Sequence, residues 1–275
     1  MKIKKGLLFV LSIIVFVLLL GMIPSCNKTP TSTTEAPADP GSEEKTGPKF
    51  VAHKGYSKNF VENTEKAFQA ATNLGFYGIE TDIRKTKDGF FVCNHDATVV
   101  YADDSEKKIS KTTRADLLSS PIKNDKTAED AYLCTFEKYL TACKNGNKVA
   151  VIELKDYVDE ADAQKILTII DEEYDRRKVT FISFSYASLQ SIQEQDASIP
   201  LQYLSDKAND THFERCIRDE ISLDVKYTVL TEELVQDFHN AGLTVNVWTV
   251  NEESYLQIAY QNGVDYVTTD VFYED

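Results

Sequence analysis

Eight short runs rich in β-branched residues recur after Phe50: "FVAHKG", "GIETDIRKT", "KVAVIELK", "VTFISF", "PLQYLS", "SLDVKY", "LTVNVWTV" and "DYVTTD". Helical patterns separate most of them. Strands that alternate with helices favour a parallel sheet, because two parallel neighbours can only be joined by a long crossover. Eight such units favour closure, so the expected architecture is an α/β chain folded as a (β/α)8 TIM barrel rather than an open doubly wound sheet. In the first crossover, "NTEKAFQAATNLG" places Ala67, Phe68, Ala71 and Leu74 on one face, with Asn63 as N-cap and Gly75 as a stop. "ADAQKILTIIDEEY", "TEELVQDFHNAG" and "EESYLQIAYQNG" repeat the scheme. An additional run, "FFVCNH", follows the turn "TKDG" and opens an excursion over residues 90–147, whose polar middle, "DDSEKKISKTTRADL", reads as a small surface insertion after the second strand.

Ahead of the barrel, Lys2, Lys4 and Lys5 precede an apolar run from Gly6 to Ile23, followed by "IPSC". A charged start, an apolar stretch and a small residue before a break are the layout of a secretory signal. The run resembles a bacterial lipoprotein signal over residues 1–25, cleaved before Cys26 to leave that cysteine as a lipid-modified N-terminus. The competing reading is an uncleaved transmembrane anchor, since the run is just long enough to span a bilayer. Both place the rest of the chain outside the cytoplasmic membrane and attached to it. Residues 26–49 are rich in Thr, Pro, Ser, Ala and Glu without an apolar period, which is the composition of a disordered tether. The folded domain is therefore expected over residues 50–275.

Acidic residues outnumber basic ones by 44 to 30, and no cluster of Lys and Arg is interleaved with aromatics, which excludes a nucleic-acid groove and favours a small-molecule partner. Besides Cys26 there are four cysteines, with no CxxC pair to hold zinc. If "CTFEKYLTAC" is one continuous helix, Cys134 and Cys143 lie roughly 13 Å apart, beyond the reach of a disulfide. Buried free thiols are expected.

The reactive face of such a barrel lies at the C-terminal ends of its strands. His53 and Lys54 end the first run, Glu80 and Asp82 lie two apart on the second and so share a face, and Glu153 and Lys155 do the same on the third. His95 closes the additional run. Taken singly, each has a bland alternative: an exposed edge pair, a surface ion pair, a loop histidine. Together at strand ends they define a site. Three converging carboxylates repel unless a cation or protonation neutralises them, and hard oxygen donors favour magnesium or calcium. Cys93 shares a face with His95 and is read as a small buried neighbour, and His212 and His239 receive no role.

The segments "HKG", "ENTEKAF", "GIETDIRKTKDG", "NHD", "IELK", "SF", "VWTVN" and "GVDYVTTD" occur in the order and spacing of the glycerophosphodiester phosphodiesterases, and the chain resembles that family over nearly all of its folded region. The resemblance implies a barrel with a divalent cation, Ca2+ or Mg2+, held by Glu80, Asp82 and Glu153, and two catalytic histidines, His53 and His95. It assigns the excursion to the family's insertion. It also places Glu62, with Asn63 beside it, behind the metal ligands or among them. Lys54 departs from the pattern, standing where the family usually has arginine. Lys54, Lys155 and Trp248 are expected to contact substrate. The implied reaction is hydrolysis of a glycerophosphodiester to glycerol 3-phosphate and an alcohol, with His95 as general acid and His53 as general base. The alternatives are a lysophospholipase D, a hydrolase of wall polymers built from glycerol phosphate, and a non-catalytic binding lipoprotein on the same fold.

Overall fold

The structure is a computed structural model and describes residues 47–273. The signal segment, Cys26 and nearly all of the tether lie outside the described residues. In chain order the elements are β1 (Lys49–Ala52), α1 (Glu65–Thr72), β2 (Gly78–Lys85), β3 (Phe91–Cys93), β4 (Thr98–Val100), β5 (Glu106–Lys108), α2 (Arg114–Leu117), β6 (Cys134–Thr135), α3 (Phe136–Gly146), β7 (Val149–Leu154), α4 (Glu160–Glu173), β8 (Val179–Ser183), α5 (Tyr186–Gln195), β9 (Leu201–Ser205), α6 (Asp210–Arg218), β10 (Ser222–Lys226), α7 (Glu232–Asn240), β11 (Val245–Trp248), α8 (Glu253–Asn262) and β12 (Tyr266–Thr269). Eight of these strands form a closed parallel barrel in the order β1-β2-β7-β8-β9-β10-β11-β12, and β12 pairs back onto β1. Each of the eight runs read from the sequence supplies one barrel strand.

The alternation of side chains along each strand separates two apolar layers. Val51, Val151, Ile182 and Leu204 point inward and pack together inside the barrel, with Trp248 against them. Ala52, Ile79, Ile152, Phe181, Leu223 and Val247 point outward and join the helices in the main core. Strands buried on both faces read as near-continuous apolar runs, so the polar residues within them stand out. Helix α3 is tied to the wall by Tyr139, whose hydroxyl donates to the Ile79 carbonyl (2.7 Å) and whose ring meets Phe68 of α1 edge-on at 5.0 Å.

Three expectations are corrected. The N-cap of α1 is Thr64, whose hydroxyl accepts from the Ala67 N–H, and the helix ends at Asn73 before it reaches Gly75. Asn63 is occupied elsewhere, as described below. "CTFEKYLTAC" is not one helix, because Thr135 caps α3 and Cys134 lies on β6, directly across from Cys93 on β3. Finally, the excursion over 90–147 divides in two. Val92, Val99, Tyr101, Ile109, Leu117 and Leu133 form a small core of their own, whereas Phe136, Tyr139, Leu140 and Cys143 of α3 belong to the main core, making α3 a crossover helix of the barrel.

Candidate active site

Glu80 and Asp82 leave β2 on its inner face, and Asp82 is in register with Glu153 of the neighbouring β7. All three are buried, and each offers a carboxylate oxygen within 4.8 Å of the others. Such a cluster needs compensation. Lys155 donates to Glu153 Oε1 at 2.9 Å and lies 3.5 Å from Asp82 Oδ1, while the Lys54 N–H donates to Glu80 Oε2 at 2.7 Å. Asn63 donates through Nδ2 to Asp82 Oδ2 (2.8 Å), and its Oδ1 accepts from the Thr81 hydroxyl (2.7 Å), so it orients the carboxylate.

These contacts divide the carboxyls by charge state. Burial, then the charges of Asp82 and Glu153, pushes Glu80 well above the usual carboxylate range. Burial and Asp82 push Glu153 up to about 7. Burial also acts to raise Asp82, but Lys155, Lys54 and the bond from Asn63 outweigh it and hold that carboxyl low. Among the described residues, Asp82 Oδ1 is buried without a hydrogen-bond partner. Convergent hard oxygens, one of them unsatisfied, fit a divalent cation.

The loop from β1 to α1 holds the first histidine. Lys54 and Asn63 both take left-handed backbone conformations (φ 57° and 58°) and are joined by the Asn63 N–H donating to the Lys54 carbonyl at 3.0 Å. Gly55, at φ 77°, presses this loop onto α1; a Cβ there would lie 2.7 Å from the Ala67 carbonyl carbon. His53 Nδ1 is 2.7 Å from Asp270 Oδ1 at the end of β12, and Asp270 is held in turn by Ser57 and Asn251. Burial acts to raise the Asp270 carboxyl, but its bond to His53 and its other partners hold it far below the ordinary value. His95 follows β3, with its carbonyl gripped by the Arg84 guanidinium (2.9 and 2.7 Å), which also reaches Asp156.

A cavity of about 210 Å³ opens at the C-terminal ends of the strands and is lined by His53, Lys54, Glu80, His95, Glu153, Lys155 and Trp248 together. Asp82, buried beside Glu153, is not among the lining residues. Two expected positions differ in detail. Glu62 is exposed and stands apart from the carboxylate cluster, holding the Lys54 ammonium at 3.1 and 3.2 Å, and Lys155 is committed to Glu153. Burial alone would lower Lys54, but Glu62, Asp82 and Glu80 keep its pKa above the ordinary value. Sequence reasoning passed over Asp270, although it stands at a strand end where reactive groups were sought, and Asp224, an acid in the middle of the buried run "SLDVKY".

The sequence profile of the glycerophosphoryl diester phosphodiesterase family matches residues 53–273, which takes in every barrel strand but the first. The chain belongs to that family of phosphodiester hydrolases. It is 28% identical over 225 residues to a glycerophosphodiester phosphodiesterase of Caldanaerobacter subterraneus subsp. tengcongensis, covering 80% of this chain and 93% of that one. Among solved structures, the glycerophosphodiester phosphodiesterase of Thermotoga maritima superposes with a TM-score of 0.67 at 26% identity, over 82% of this chain and 95% of that one. An Oleispira antarctica phosphodiesterase in complex with the product sn-glycerol-3-phosphate has the same fold, with a TM-score of 0.73 at 23% identity over 82% and 93% of the two chains.

Proposed function

We propose that the chain hydrolyses glycerophosphodiesters to glycerol 3-phosphate and an alcohol, using a calcium or magnesium ion and the histidine pair. The observation that carries this reading is a cluster of three buried carboxylates, two of which line one cavity together with both histidines. Glu80, Asp82 and Glu153 would hold the ion, which would supply positive charge to the phosphate oxygens. The charge count supports it. Among the described residues, Lys155 is the one ammonium in contact with the three-carboxylate cluster, and the Lys54 ammonium is matched by Glu62, so a divalent ion would supply the counter-charge that the cluster lacks.

The side chains divide the proton transfers. With its Nδ1–H donated to Asp270, His53 has Nε2 free to accept a proton, and the carboxylate stabilises the imidazolium that results. His53 thus suits the base that takes the proton of the attacking oxygen. His95 is more exposed, with its Nδ1 2.9 Å from the exposed Asp96, and suits the acid that protonates the departing alcohol. The Lys54 ammonium, steadied by Glu62, stands at the cavity wall as a point charge where the family's arginine would offer a planar fork.

The "IPSC" segment supports a further part of the proposal, that a lipid on Cys26 tethers the enzyme to the outer face of the cytoplasmic membrane. Among the described residues no helix is long and apolar enough to cross a membrane. The test of function is release of glycerol 3-phosphate from a panel of glycerophosphodiesters by purified protein, first in chelator and then with Ca2+ or Mg2+ restored. Loss in chelator and recovery with either ion is expected. Full activity after verified metal removal would overturn the cation, and no release from any member of the panel would overturn the substrate class.

A further inference from the structure

The wall of the cavity opposite the carboxylate cluster carries one carboxyl group that the mechanism does not use. Asp224, on the inner face of β10, is only 1% exposed and lines the cavity, and neither of its carboxylate oxygens has a hydrogen-bond partner among the described residues. Its register neighbours cannot satisfy it in full. Leu204 on β9 is apolar, and Asn246 on β11 gives its well-formed bonds to the Thr268 hydroxyl (2.8 Å) and the Val247 N–H (2.9 Å), which leaves one amide N–H to turn toward Asp224 and the rest of the carboxyl's accepting capacity open. The two lysines of the cavity are committed to Glu62 and Glu153 on the far side.

A buried polar group left unpaired is costly, so one kept on a cavity wall calls for a partner that the cavity can admit. The surroundings of Asp224 restrict what that is. Ile182, Leu204, Phe184 and Trp248 make an apolar corner around it, with Phe184 and Trp248 edge-to-face at 5.8 Å and the Trp248 N–H donating to the Asp224 carbonyl at 3.3 Å. Carboxyl oxygens accept from O–H donors. The aromatic edges accommodate C–H groups.

We propose that Asp224 is a specificity-determining residue that receives the free hydroxyls of the glycerol moiety, while the phosphate lies against the lysines and the carboxylate cluster. This inference rests on the glycerophosphodiester reading above and deepens it. The cavity is polarised, with cationic charge on one wall and a lone acceptor on the other, so a molecule with phosphate at one end and a diol at the other can lie in only one direction. A site whose buried acceptor must be satisfied rejects an analogue lacking the hydroxyl more strongly than an apolar pocket rejects an added one. Diesters whose glycerol hydroxyls are esterified leave Asp224 unpaired and are excluded on that ground.

The test is calorimetric binding of glycerol 3-phosphate and of n-propyl phosphate, which carries the same phosphate on three carbons without hydroxyls, to metal-loaded protein. Wild type is expected to prefer glycerol 3-phosphate by roughly 10- to 100-fold, the range of hydrogen bonds to a charged group. In Asp224→Leu the two ligands should bind nearly alike, and Asp224→Asn should fall between. Thermal unfolding without ligand gives a second readout. Removal of an unpaired buried carboxyl should raise the melting temperature of both variants, whereas a structural role would lower it. Equal binding of the two ligands by wild type, or a preference retained in both variants, overturns the assignment of Asp224 and leaves the phosphodiesterase reading intact. Failure of wild type to bind either phosphate overturns both.

Discussion

Removing the cation leaves Glu153 as a buried carboxyl beside Asp82, raised from 4.5 to about 7. A carboxyl that binds its proton more tightly in the folded state gives stability that is fully present below pH 4.5 and is lost as pH rises through 7. The gap corresponds to about 3 kcal/mol, at roughly 1.4 kcal/mol for each tenfold change in proton affinity. For a domain of this size it amounts to about 6–12 °C in melting temperature. Glu80, raised by the same burial, adds in the same direction. A divalent ion replaces the proton as counter-charge and requires the ionised carboxylates, so its stabilisation should grow over the same interval. The assay is thermal unfolding from pH 5 to 8, in chelator and in excess Ca2+ or Mg2+. Chelated protein should lose melting temperature as pH rises, and the gap to the metal-loaded protein should widen. Glu153→Gln should flatten the slope in chelator and shrink the gap. A gap that is constant across pH, or a slope unchanged in Glu153→Gln, would refute the account of this cluster.

The other expectations concern the proton-transfer pair and the anchor. His53→Ala and His95→Ala should each lower turnover by roughly two to four orders of magnitude, and a nitrophenyl diester, whose leaving group needs little protonation, should partly rescue only His95→Ala; equal rescue of both would reverse or remove the assignment. Asp270→Asn should cost roughly 10- to 100-fold in turnover through loss of a charged hydrogen bond and shift the acid limb of the pH–rate profile; wild-type kinetics in this variant would show that His53 is oriented by other means. Cys26→Ser should abolish lipid labelling in cells, since stable anchoring takes more than one acyl chain on that residue; labelling that persists would place the lipid elsewhere.

The barrel was legible because its strands are buried on both faces and so write themselves as apolar runs, with turns and helix caps between. The carboxylates were legible because they stand near strand ends in pairs two apart, Glu80 with Asp82 and Glu153 with Lys155, whereas the lone Asp224 was passed over. Local rules failed where tertiary partners compete for a side chain. Asn63 and Thr64 are both good N-caps, and what decides between them is Asp82, 19 residues away, which takes the Asn63 amide and leaves the cap to Thr64. The extent of α3 was missed because Thr135, a strong cap, sits inside a pattern that otherwise reads as continuous helix. The pairing of Lys54 with Glu62 spans a loop of left-handed residues whose path no periodicity records.

The partner of His53 is 217 positions away, on the last barrel strand. During synthesis the histidine emerges long before its carboxylate, so a nascent chain can present Glu80, Asp82 and Glu153 and still lack the group that orients His53. On the proposed mechanism the base is therefore completed only when the eighth strand closes against the first. Trimming or fusing the C-terminus near Asp270 would then act on turnover before it acts on folding.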